Sequence, residues 1–426
     1  MNGWISAGRA AAALLRGRVP GQLVIQLTDR CNARCPQCGM RVTEGFDRSR
    51  LSMDEVRRLI DAAAEKGVQA LSFTGGEPMM LFDDLAVLIR YAGAAGIPYI
   101  RTGTNGYFFM NRHRPGFRSR IARIVETLAD TPIRNFWISV DSAVPHVHEA
   151  MRGFPGLVEG IRASLPLFHD AGIYPSLNLG INRNISEATM AIGPTAGDAD
   201  PAADLDAFYE RFRTGFRDFY RFAVEMGFTI VNSCYPMSID EGDADEGDLS
   251  AVYAASAVDP VIRFSGAEKV QLFRALFDAI PEFRSQLRIF SPRTSVYTLC
   301  RQYEAAAPAP YPCRGGVDFF FVNAADGNTY PCGYRGDENL GKFWDLDLAD
   351  RRNGTACTAC DWECFRDPSE LFGPVLEGIS HPASLVRRLR KDATWRALWR
   401  EDLRYYRACG YFNGREAPDY DRMRHF

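Results

Sequence analysis

Strand-like and helix-like patterns alternate along the first half of the chain. An apolar run at 23–27 precedes a helical stripe that begins with the capping-box pair Ser52 and Glu55 and ends at Gly67. Further strand patterns cover 69–73, 98–103, 135–140, 174–181 and 228–234, and further helical patterns cover 83–95, 117–128, 157–171 and 207–226. This alternation predicts an α/β fold with a parallel sheet and helical crossovers, either an open sheet or a barrel.

The patterns divide the chain into five segments. We expect an N-terminal helix over 1–19, a strand–helix domain over 20–240, a helical linker over 241–295, a cysteine-rich domain over 296–372 and a helical tail over 373–426. Within the second segment, residues 184–226 interrupt the alternation. They form either an insertion that caps the sheet or a long final crossover.

Composition narrows the class of protein. A chain of 426 residues can bury a large core. Its net charge of −3 argues against a general nucleic-acid binder, and the apolar run at 317–322 is far too short to cross a bilayer. The N-terminus lacks the apolar core and cleavage site of a signal peptide. The eleven cysteines, most of them in two groups, therefore indicate metal sites in a reducing, cytoplasmic compartment rather than disulfides.

The first group of cysteines directly follows the first predicted strand. Cys31, Cys35 and Cys38 have CxxxCxxC spacing. Three thiolates on one loop suit an iron–sulfur cluster, and a cubane cluster would keep its fourth iron for another ligand. A structural zinc site usually needs four nitrogen or sulfur ligands, and a disulfide needs an oxidising compartment. Both alternatives fit these three residues less well.

The chain resembles the radical SAM superfamily over about residues 20–240. The resemblance rests on the three cysteines and on motifs that follow later strands in the expected order, although Gln37 replaces the aromatic residue that often precedes the third cysteine. It implies a partial (β/α)6 barrel in which these cysteines hold a [4Fe–4S] cluster. The open iron of that cluster binds S-adenosylmethionine (SAM), and one electron cleaves SAM to a 5′-deoxyadenosyl radical. A reducing partner such as flavodoxin or ferredoxin would supply the electron.

The resemblance also implies a set of SAM-binding residues at the ends of the strands. The GGEP motif would line the SAM amino group, the TNG segment would lie beside SAM, and a Ser and an Asp after the fourth strand would contact the ribose. An arginine downstream is placed to neutralise a carboxylate, and an asparagine on the fifth strand would contact adenosine or cap the strand. These residues are Gly75, Gly76, Glu77, Pro78, Thr104, Asn105, Ser139, Asp141, Arg152 and Asn178. Asn182, at the other side of the same strand end, has the same two possible roles as Asn178. His148 is expected to be structural and His146 exposed.

The second group of cysteines resembles the SPASM/twitch pattern of the same superfamily. Cys313 and Cys332 fit the opening C-x(9–15)-G-x4-C, and the residues between them predict a β-hairpin over 317–330. The resemblance implies one auxiliary [4Fe–4S] cluster. Its expected ligands are Cys313, Cys332, Cys357 and Cys360, with Cys364 and Cys300 as substitutes. A zinc ribbon is the alternative that the CxxC spacing alone permits.

Cys234 stands by itself at the end of the sixth predicted strand. A lone cysteine is often a small buried hydrophobic residue. Some radical SAM epimerases resemble this layout and use a thiol to return a hydrogen atom to the substrate radical. Cys234 is therefore the candidate catalytic residue, whereas Cys409 is expected to serve packing.

The resemblance leaves several functions open. The first is auxiliary-cluster-assisted oxidation, a dehydrogenation or bond formation, of a small natural product, a sugar such as an aminoglycoside, or an amino acid. This class of substrate is favoured because few residues precede the first strand, too few for a peptide-recognition domain. The alternatives are an epimerase that uses Cys234, a ribosomal-peptide maturase with a separate recognition protein, and a non-catalytic iron–sulfur electron carrier.

Overall fold

The computed structural model describes residues 13–38, 48–190, 201–236, 252, 260–306, 310–350 and 357–426. Most of the predicted N-terminal helix and the acidic run at 241–248 lie outside these ranges. No helix in the described part of the chain is long and apolar enough to cross a membrane.

One sheet runs through the described residues in the order β7-β6-β5-β4-β3-β2-β1-β8-β9. Its strands are β1 (Gly21–Thr28), β2 (Val68–Gly75), β3 (Tyr99–Thr104), β4 (Ile133–Ser139), β5 (Ser176–Gly180), β6 (Ile230–Cys234), β7 (Arg288–Ile289), β8 (Phe319–Val322) and β9 (Thr329–Tyr330). All neighbouring pairs are parallel except β8 and β9. The prediction of a parallel sheet with six core strands in sequence order is confirmed.

Helices connect the parallel strands, as the sequence pattern predicts, and further helices follow the last strand. They are α1 (Met53–Glu65), α2 (Phe82–Ala94), α3 (Phe117–Ala129), α4 (Pro145–Arg152), α5 (Leu157–Asp170), α6 (Pro201–Met226), α7 (Gly266–Ala279), α8 (Arg293–Tyr303), α9 (Glu363–Ser380), α10 (Pro382–Lys391) and α11 (Ala393–Ala408), with one short turn at Glu187–Met190 and another at Tyr420–Met423. The capping box of Ser52 and Glu55 forms at the start of α1. The apolar faces of the crossover helices pack with the strands into one large core.

Within the region at 184–226, residues Pro201–Met226 form the crossover helix α6. The aromatic face of α6 is buried, with Phe212 stacked on Phe208 and placed edge-on to Phe264. These rings belong to the same core as the sheet. Of the two readings open from the sequence, the described residues of α6 fit the long crossover and not a cap over the sheet.

The sheet also extends beyond the predicted barrel in both directions. The predicted hairpin is present as β8 and β9, but β8 pairs in parallel with β1, so the cysteine-rich region continues the barrel sheet. At the other edge, β7 pairs with β6. The expected helical linker over 241–295 is thus corrected, because its last part adds a strand to the sheet.

The helical tail packs on the β7 edge. The guanidinium of Arg284 donates to Asp402 of α11, and both side chains are fully buried. The Tyr405 hydroxyl donates to the Leu287 carbonyl oxygen at 2.6 Å. Cys409 lies buried in the same apolar cluster, as expected of a packing residue.

Candidate active site

The loop after β1 brings three cysteines to the C-terminal edge of the sheet. The Cys38 amide donates to the Cys35 carbonyl oxygen at 3.1 Å, and the Ala33 amide donates to Cys31 Sγ at 3.4 Å. The pKa of Cys35 is raised to about 12, mainly by burial, and the neighbouring thiols Cys38 and Cys31 contribute to this rise. The structure therefore groups the three predicted ligands, with a backbone donor on the first sulfur.

The GGEP loop is fastened to this cysteine loop. The Gly76 amide donates to the Thr28 carbonyl oxygen at 2.7 Å, and the Glu77 amide donates to the Arg30 carbonyl oxygen at 2.9 Å. A Cβ added at Gly75 would lie 2.4 Å from the Thr28 oxygen, and one at Gly76 would lie 2.2 Å from the Arg30 oxygen. The two glycines are thus required by close approach to the backbone before the cysteines, whereas the sequence suggested close approach to a ligand.

Glu77 joins the GGEP loop to the end of β3. Its carboxylate is 1 % exposed and accepts from the amides of Asn105, at 2.6 Å, and Met79, at 3.1 Å. Burial raises the pKa of Glu77 to about 7. The Asn105 amide group donates to Cys31 Sγ at 3.7 Å and to Asn32 Oδ1 at 2.8 Å. Glu77 and Asn105 therefore position the first cysteine.

The end of β4 carries a buried ion pair. Arg152 donates to both carboxylate oxygens of Asp141, at 2.8 and 3.0 Å, and His148 Nδ1 accepts from the Asp141 amide at 3.1 Å. Burial by itself would raise the pKa of Asp141, but the charge of Arg152 and the hydrogen bond of His148 lower it to about 2. The partner of Arg152 is a carboxylate of this chain. The expectations that Arg152 neutralises a ligand carboxylate and that Asp141 contacts a ribose are corrected accordingly.

His148, His146 and Asn182 behave as structural residues. His148 is fully buried and His146 is exposed, as expected. The Asn182 side chain donates to the carbonyl oxygens of Asp141 and Gly180, so it caps the end of β5. Ser139 pairs with Asn178 in the register of β4 and β5 and lies at the same edge.

A cavity of about 310 Å³ lies among the C-terminal halves of the strands. Its wall combines inward side chains of β1 to β6 with Phe321 of β8, the cysteine loop, and the start of α9. The polar and sulfur-bearing members of this wall are Gln26, Gln37, Cys38, Ser72, Thr74, Arg101, Asn178, Asn232, Cys234, Glu363 and Cys364. The cavity therefore lies between the first cysteine group and the segment that follows Cys360.

Cys234 lies on the cavity wall. Asn178 donates to its sulfur at 3.2 Å, and the Asn232 amide group lies 3.7 Å from it. Burial raises the pKa of Cys234 well above its usual value, and the charge of Glu363 raises it further. The thiol is thus kept protonated among side chains that line the cavity.

Sequence reasoning missed much of this wall, including three residues that bear on its chemistry. Arg101, Trp137 and Glu363 line the cavity, and a Cβ at Gly103 would lie 2.2 Å from the Trp137 indole. The alternation of inward positions on β3 and β4 was a signal that would have found the first two. The position of Glu363 on the cavity wall depends on where helix α9 begins, and the local sequence does not show where that is.

The second cysteine group comes together at the base of α9. Cys313 and Cys357 form an isolated antiparallel bridge, in which the Cys313 amide donates to the Cys357 carbonyl oxygen at 2.8 Å. The pKa of Cys332 is raised to about 12, mainly by burial, and the charges of Cys313 and Cys357 contribute to this rise. Burial also raises the pKa of Cys360, as do Cys332 and Cys313. The four expected auxiliary ligands are therefore neighbours.

Backbone amides also donate hydrogen bonds to two of these sulfurs. The Gly315 amide donates to Cys313 Sγ and the Tyr334 amide donates to Cys332 Sγ, both at 3.4 Å. In the first cysteine group, the Ala33 amide donates to Cys31 Sγ in the same way. In all three cases the donor lies two residues after the cysteine. Amide hydrogen bonds of this kind stabilise thiolates that ligate iron–sulfur clusters.

The two expected substitutes lie elsewhere. Cys364 lines the cavity, where its thiol donates to Glu363 Oε1 at 3.4 Å. Cys300 is buried in α8, with its sulfur 4.0 Å from the Val270 carbonyl oxygen. Helix α9 turns the Cys364 thiol towards the cavity, although Cys364 packs on the same apolar cluster as Cys332, and α8 holds Cys300 against α7. Both residues stay predicted substitutes, and the other four cysteines stay the predicted ligands.

The donor sets fit iron–sulfur clusters better than single metal ions. In the described part of the chain, no three Cys, His, Asp or Glu side chains converge enough to hold one metal ion. A closed zinc site needs such convergence, with Zn–S distances of about 2.3 Å. In a cubane cluster each thiolate caps a different iron, so the sulfurs stand further apart. Neighbouring thiols with amide donors suit the second case.

Residues 25–192 match the model of the Radical SAM superfamily. This segment is a radical SAM domain. The superfamily is enzymatic, and its members bind a [4Fe–4S] cluster and SAM, so the predicted cofactors of this domain are confirmed. The first cysteine group lies inside the matched segment, and the second lies beyond it.

Among curated relatives, the AdoMet-dependent heme synthase of Methanosarcina barkeri is 24 % identical over 320 residues, which is 74 % of this chain and 77 % of the relative. The GTP 3′,8-cyclase of Tolumonas auensis is 33 % identical over 141 residues, 32 % of this chain and 38 % of the relative. This chain thus spans well under half of that cyclase.

Solved structures of similar fold include Streptococcus suis SuiB bound to S-adenosylmethionine. It has a TM-score of 0.47 at 16 % identity, with 78 % of this chain and 65 % of that chain covered. Native anSMEcpe with bound AdoMet has a TM-score of 0.49 at 14 % identity, with 82 % and 83 % covered.

Proposed function

We propose that this chain is a radical SAM enzyme that takes a hydrogen atom from a small polar substrate held in the cavity of the sheet. The observation that carries the proposal is the place of the cavity. Cys38 of the first cysteine group borders it on one side, and Glu363 and Cys364, just after Cys360 of the second group, border it on another. A substrate in this space would lie between the two predicted cluster sites.

The residues around the first site would hold the cluster and SAM. Cys31, Cys35 and Cys38 would ligate the cluster, and Asn105 and the Ala33 amide steady the first sulfur. When bound, the cluster and SAM supply one electron and a 5′-deoxyadenosyl radical that accepts a hydrogen atom from the substrate. A reducing protein of the flavodoxin or ferredoxin class would deliver the electron.

SAM would lie along the ends of β2 to β5. Thr74 and Gly75 line the cavity beside Cys38, and Asn178 faces it from β5. With Gly76, Glu77, Pro78, Thr104, Asn105 and Ser139, these residues remain our predicted SAM contacts. Asp141 and Arg152 neutralise each other, so their part would be to fix the β4 loop.

The second cysteine group would hold one auxiliary [4Fe–4S] cluster through Cys313, Cys332, Cys357 and Cys360. Trp362 connects this site to the cavity, because it lines the cavity and belongs to the same apolar cluster as Cys332. A radical left on the substrate could then pass an electron to the auxiliary cluster. The net reaction would then be an oxidation, either a dehydrogenation or a bond formation.

The size of the cavity supports a small substrate. About 310 Å³ is at the lower end of the range for small-molecule sites, which runs from about 300 to 1,000 Å³. A haem precursor or a nucleotide, the kinds of molecule that the relatives' names mention, would fill or exceed it. SAM would occupy part of this space, so the proposal requires a substrate no larger than about an amino acid or a single sugar ring.

The experiment is anaerobic SAM cleavage by the reconstituted, chemically reduced enzyme. We expect 5′-deoxyadenosine from the wild type and none from Cys38→Ala. Cys300→Ala is the matched control, because Cys300 is buried away from both sites, and it should keep the wild-type rate. Wild-type protein that binds its iron but forms no 5′-deoxyadenosine would favour the non-catalytic electron carrier.

An epimerase is the second candidate, favoured by the place of Cys234. A protonated thiol on the cavity wall can give its hydrogen atom to a substrate radical, and the resulting thiyl radical then needs one electron and one proton. In D2O the product would carry one solvent deuterium at the reacting carbon, and Cys234→Ala would abolish that product. Product without deuterium would instead support the oxidation.

A further inference from the structure

We infer that the substrate enters the cavity with a carboxylate bound to Arg101 and an amine or hydroxyl directed to Glu363. This inference rests on the proposed function, because it concerns the substrate of the same cavity. It narrows the substrate class to amino acids and related small carboxylic acids, including a carboxy-terminal residue of a peptide.

Arg101 reaches the cavity from the centre of the sheet. In the register of the strands it pairs with Ser72 of β2 and Asn135 of β4. Its Nε donates to Ser72 Oγ at 3.3 Å, and its Nη2 lies 3.9 Å from Cys364 Sγ. The guanidinium carbon is 5.8 Å from the centre of the Trp137 ring. These partners are all neutral, and they fix the cation at the cavity wall.

Other enclosed arginines of this chain bind either a carboxylate or carbonyl oxygens. Arg152 binds Asp141 at 2.8 Å, and Arg183 binds Glu268 at the same distance. Arg288 donates to the carbonyl oxygens of Asn413 and Glu416, and Arg366 donates to that of Cys360. Arg101 has neither kind of partner among the described residues, since no carboxylate lies within ion-pair distance of it and its hydrogen bonds go to a hydroxyl and a thiol. A cation in a partly enclosed site is unfavourable without a counter-charge. A bound anion would supply that charge.

The shape of the group favours a carboxylate. The planar guanidinium binds a carboxylate through two parallel hydrogen bonds, and Arg101 has its Nη1 and part of its Nη2 unused by the bonds above. Phosphate would match the guanidinium too, but a dianion would lie near the carboxyl group of Glu363 in the same cavity. A single negative charge is the better fit.

Glu363 supplies the second polar contact. Its Oε2 accepts from the Tyr235 amide at 3.2 Å, and its Oε1 accepts from the Cys364 thiol at 3.4 Å. Arg101 contacts the same thiol, so an acid and a base stand on either side of Cys364. A molecule that carries both a carboxylate and a hydrogen-bond donor matches this arrangement. A polycationic aminoglycoside, which has no acid group, does not.

The test uses Cys364 as a built-in reporter of anions at Arg101. Iodoacetate and iodoacetamide alkylate a thiolate by the same displacement of iodide, but only iodoacetate carries a carboxylate. Both rates at Cys364 are measured by peptide mass spectrometry on the anaerobic holoenzyme, with glutathione in the same tube as the reference thiol. The reported quantity is the iodoacetate-to-iodoacetamide ratio at Cys364 divided by that of glutathione.

We expect this normalised ratio to exceed unity by about tenfold in the wild type, since a cation beside the thiol concentrates the anionic reagent. Arg101→Gln should return it to about one. Any change in the reactivity of Cys364 itself affects both reagents and cancels in the ratio. Arg90→Gln is the control, because Arg90 pairs with Asp130 at the surface, and it should leave the ratio unchanged.

Three results would overturn the inference: a wild-type ratio near one, a high ratio that persists in Arg101→Gln, or no labelling of Cys364 by either reagent. The last would mean that small carboxylates do not reach this wall. The measurement involves no SAM cleavage. A protein that forms no 5′-deoxyadenosine but shows the high normalised ratio would contradict only the proposed function. A protein that forms 5′-deoxyadenosine but shows a ratio near one would contradict only the inference.

Two competition experiments distinguish a free amino acid from the carboxy-terminal residue of a peptide as the bound carboxylate. Free amino acids and short peptides with a free carboxy terminus are each added as competitors, beside their carboxamides. Protection of Cys364 from iodoacetate by the acids, and not by the amides, supports the inference. Protection by free amino acids alone assigns a free amino acid, and protection by peptides assigns a carboxy-terminal residue.

Discussion

Substitution of Gly76 by alanine should damage the first cluster site without touching a cysteine. The added Cβ would lie 2.2 Å from the Arg30 carbonyl oxygen, 2.5 Å from its carbon and 2.9 Å from the Asp29 oxygen. All three atoms are backbone, so a side-chain rotation cannot relieve the contact. Either the GGEP loop or the segment just before Cys31 must move.

The cost has two parts. Overpacking of this kind costs about 1–3 kcal/mol. The shift would also weaken the hydrogen bonds from Gly76 to Thr28 and from Glu77 to Arg30, which contribute about 1 kcal/mol each. A total of about 3–5 kcal/mol is enough to release a loop that holds three cysteines.

The assay is the rate at which a chelator removes iron from the reconstituted protein, together with SAM cleavage. In Gly76→Ala we expect fast loss of about half of the iron, because the auxiliary site is untouched, and a loss of SAM cleavage. Gly266→Ala is the matched control, since a Cβ there meets nothing within 4 Å. Wild-type iron retention and cleavage in Gly76→Ala would refute the role given to this contact.

Three further predictions follow from the site. Arg152→Met should lower stability at neutral pH by about 2 kcal/mol or more, because Asp141 would stay buried without its cation. The pKa of Asp141 is depressed to about 2, so its contribution is present above its unfolded pKa and is lost as the pH falls through the folded value; the urea midpoints of wild type and variant should therefore converge in acid, and a constant difference would contradict this. Cys360→Ser should lower the iron content after reconstitution whereas Cys364→Ser should not, and equal losses would return Cys364 to the auxiliary ligands. Gly103→Ala should displace the Trp137 indole and change its fluorescence, and an unchanged emission spectrum would count against the packing seen here.

Local sequence patterns predicted much of the fold and of the first cluster site. The capping box of Ser52 and Glu55 fixes the start of α1 within four residues, so it is visible in the sequence. Likewise, Cys31, Cys35 and Cys38 lie within one loop. Each of these features depends on contacts between residues that are close in the chain, and such contacts leave a readable spacing.

Distant contacts account for most of the differences. Strand β8 joins β1 across almost three hundred residues, and no local pattern shows which edge it will choose. Arg152 was expected to bind a ligand because local spacing does not reveal its pairing with Asp141. The two residues are eleven positions apart, outside any helical spacing. The cysteine spacing alone suggested that Cys364 lies beside Cys360. Helix α9 turns the Cys364 thiol to the cavity, and the start of this helix is set by tertiary packing that the local sequence does not show.

The central claim, one SAM-binding cluster and one auxiliary cluster on either side of a substrate cavity, is tested most directly by counting iron and labile sulfide per chain after anaerobic reconstitution. The account predicts about eight irons in the wild type and about four in the triple variant Cys31→Ala, Cys35→Ala, Cys38→Ala. About four irons in the wild type and none in the variant would contradict it, because the second cysteine group would then hold no iron–sulfur cluster.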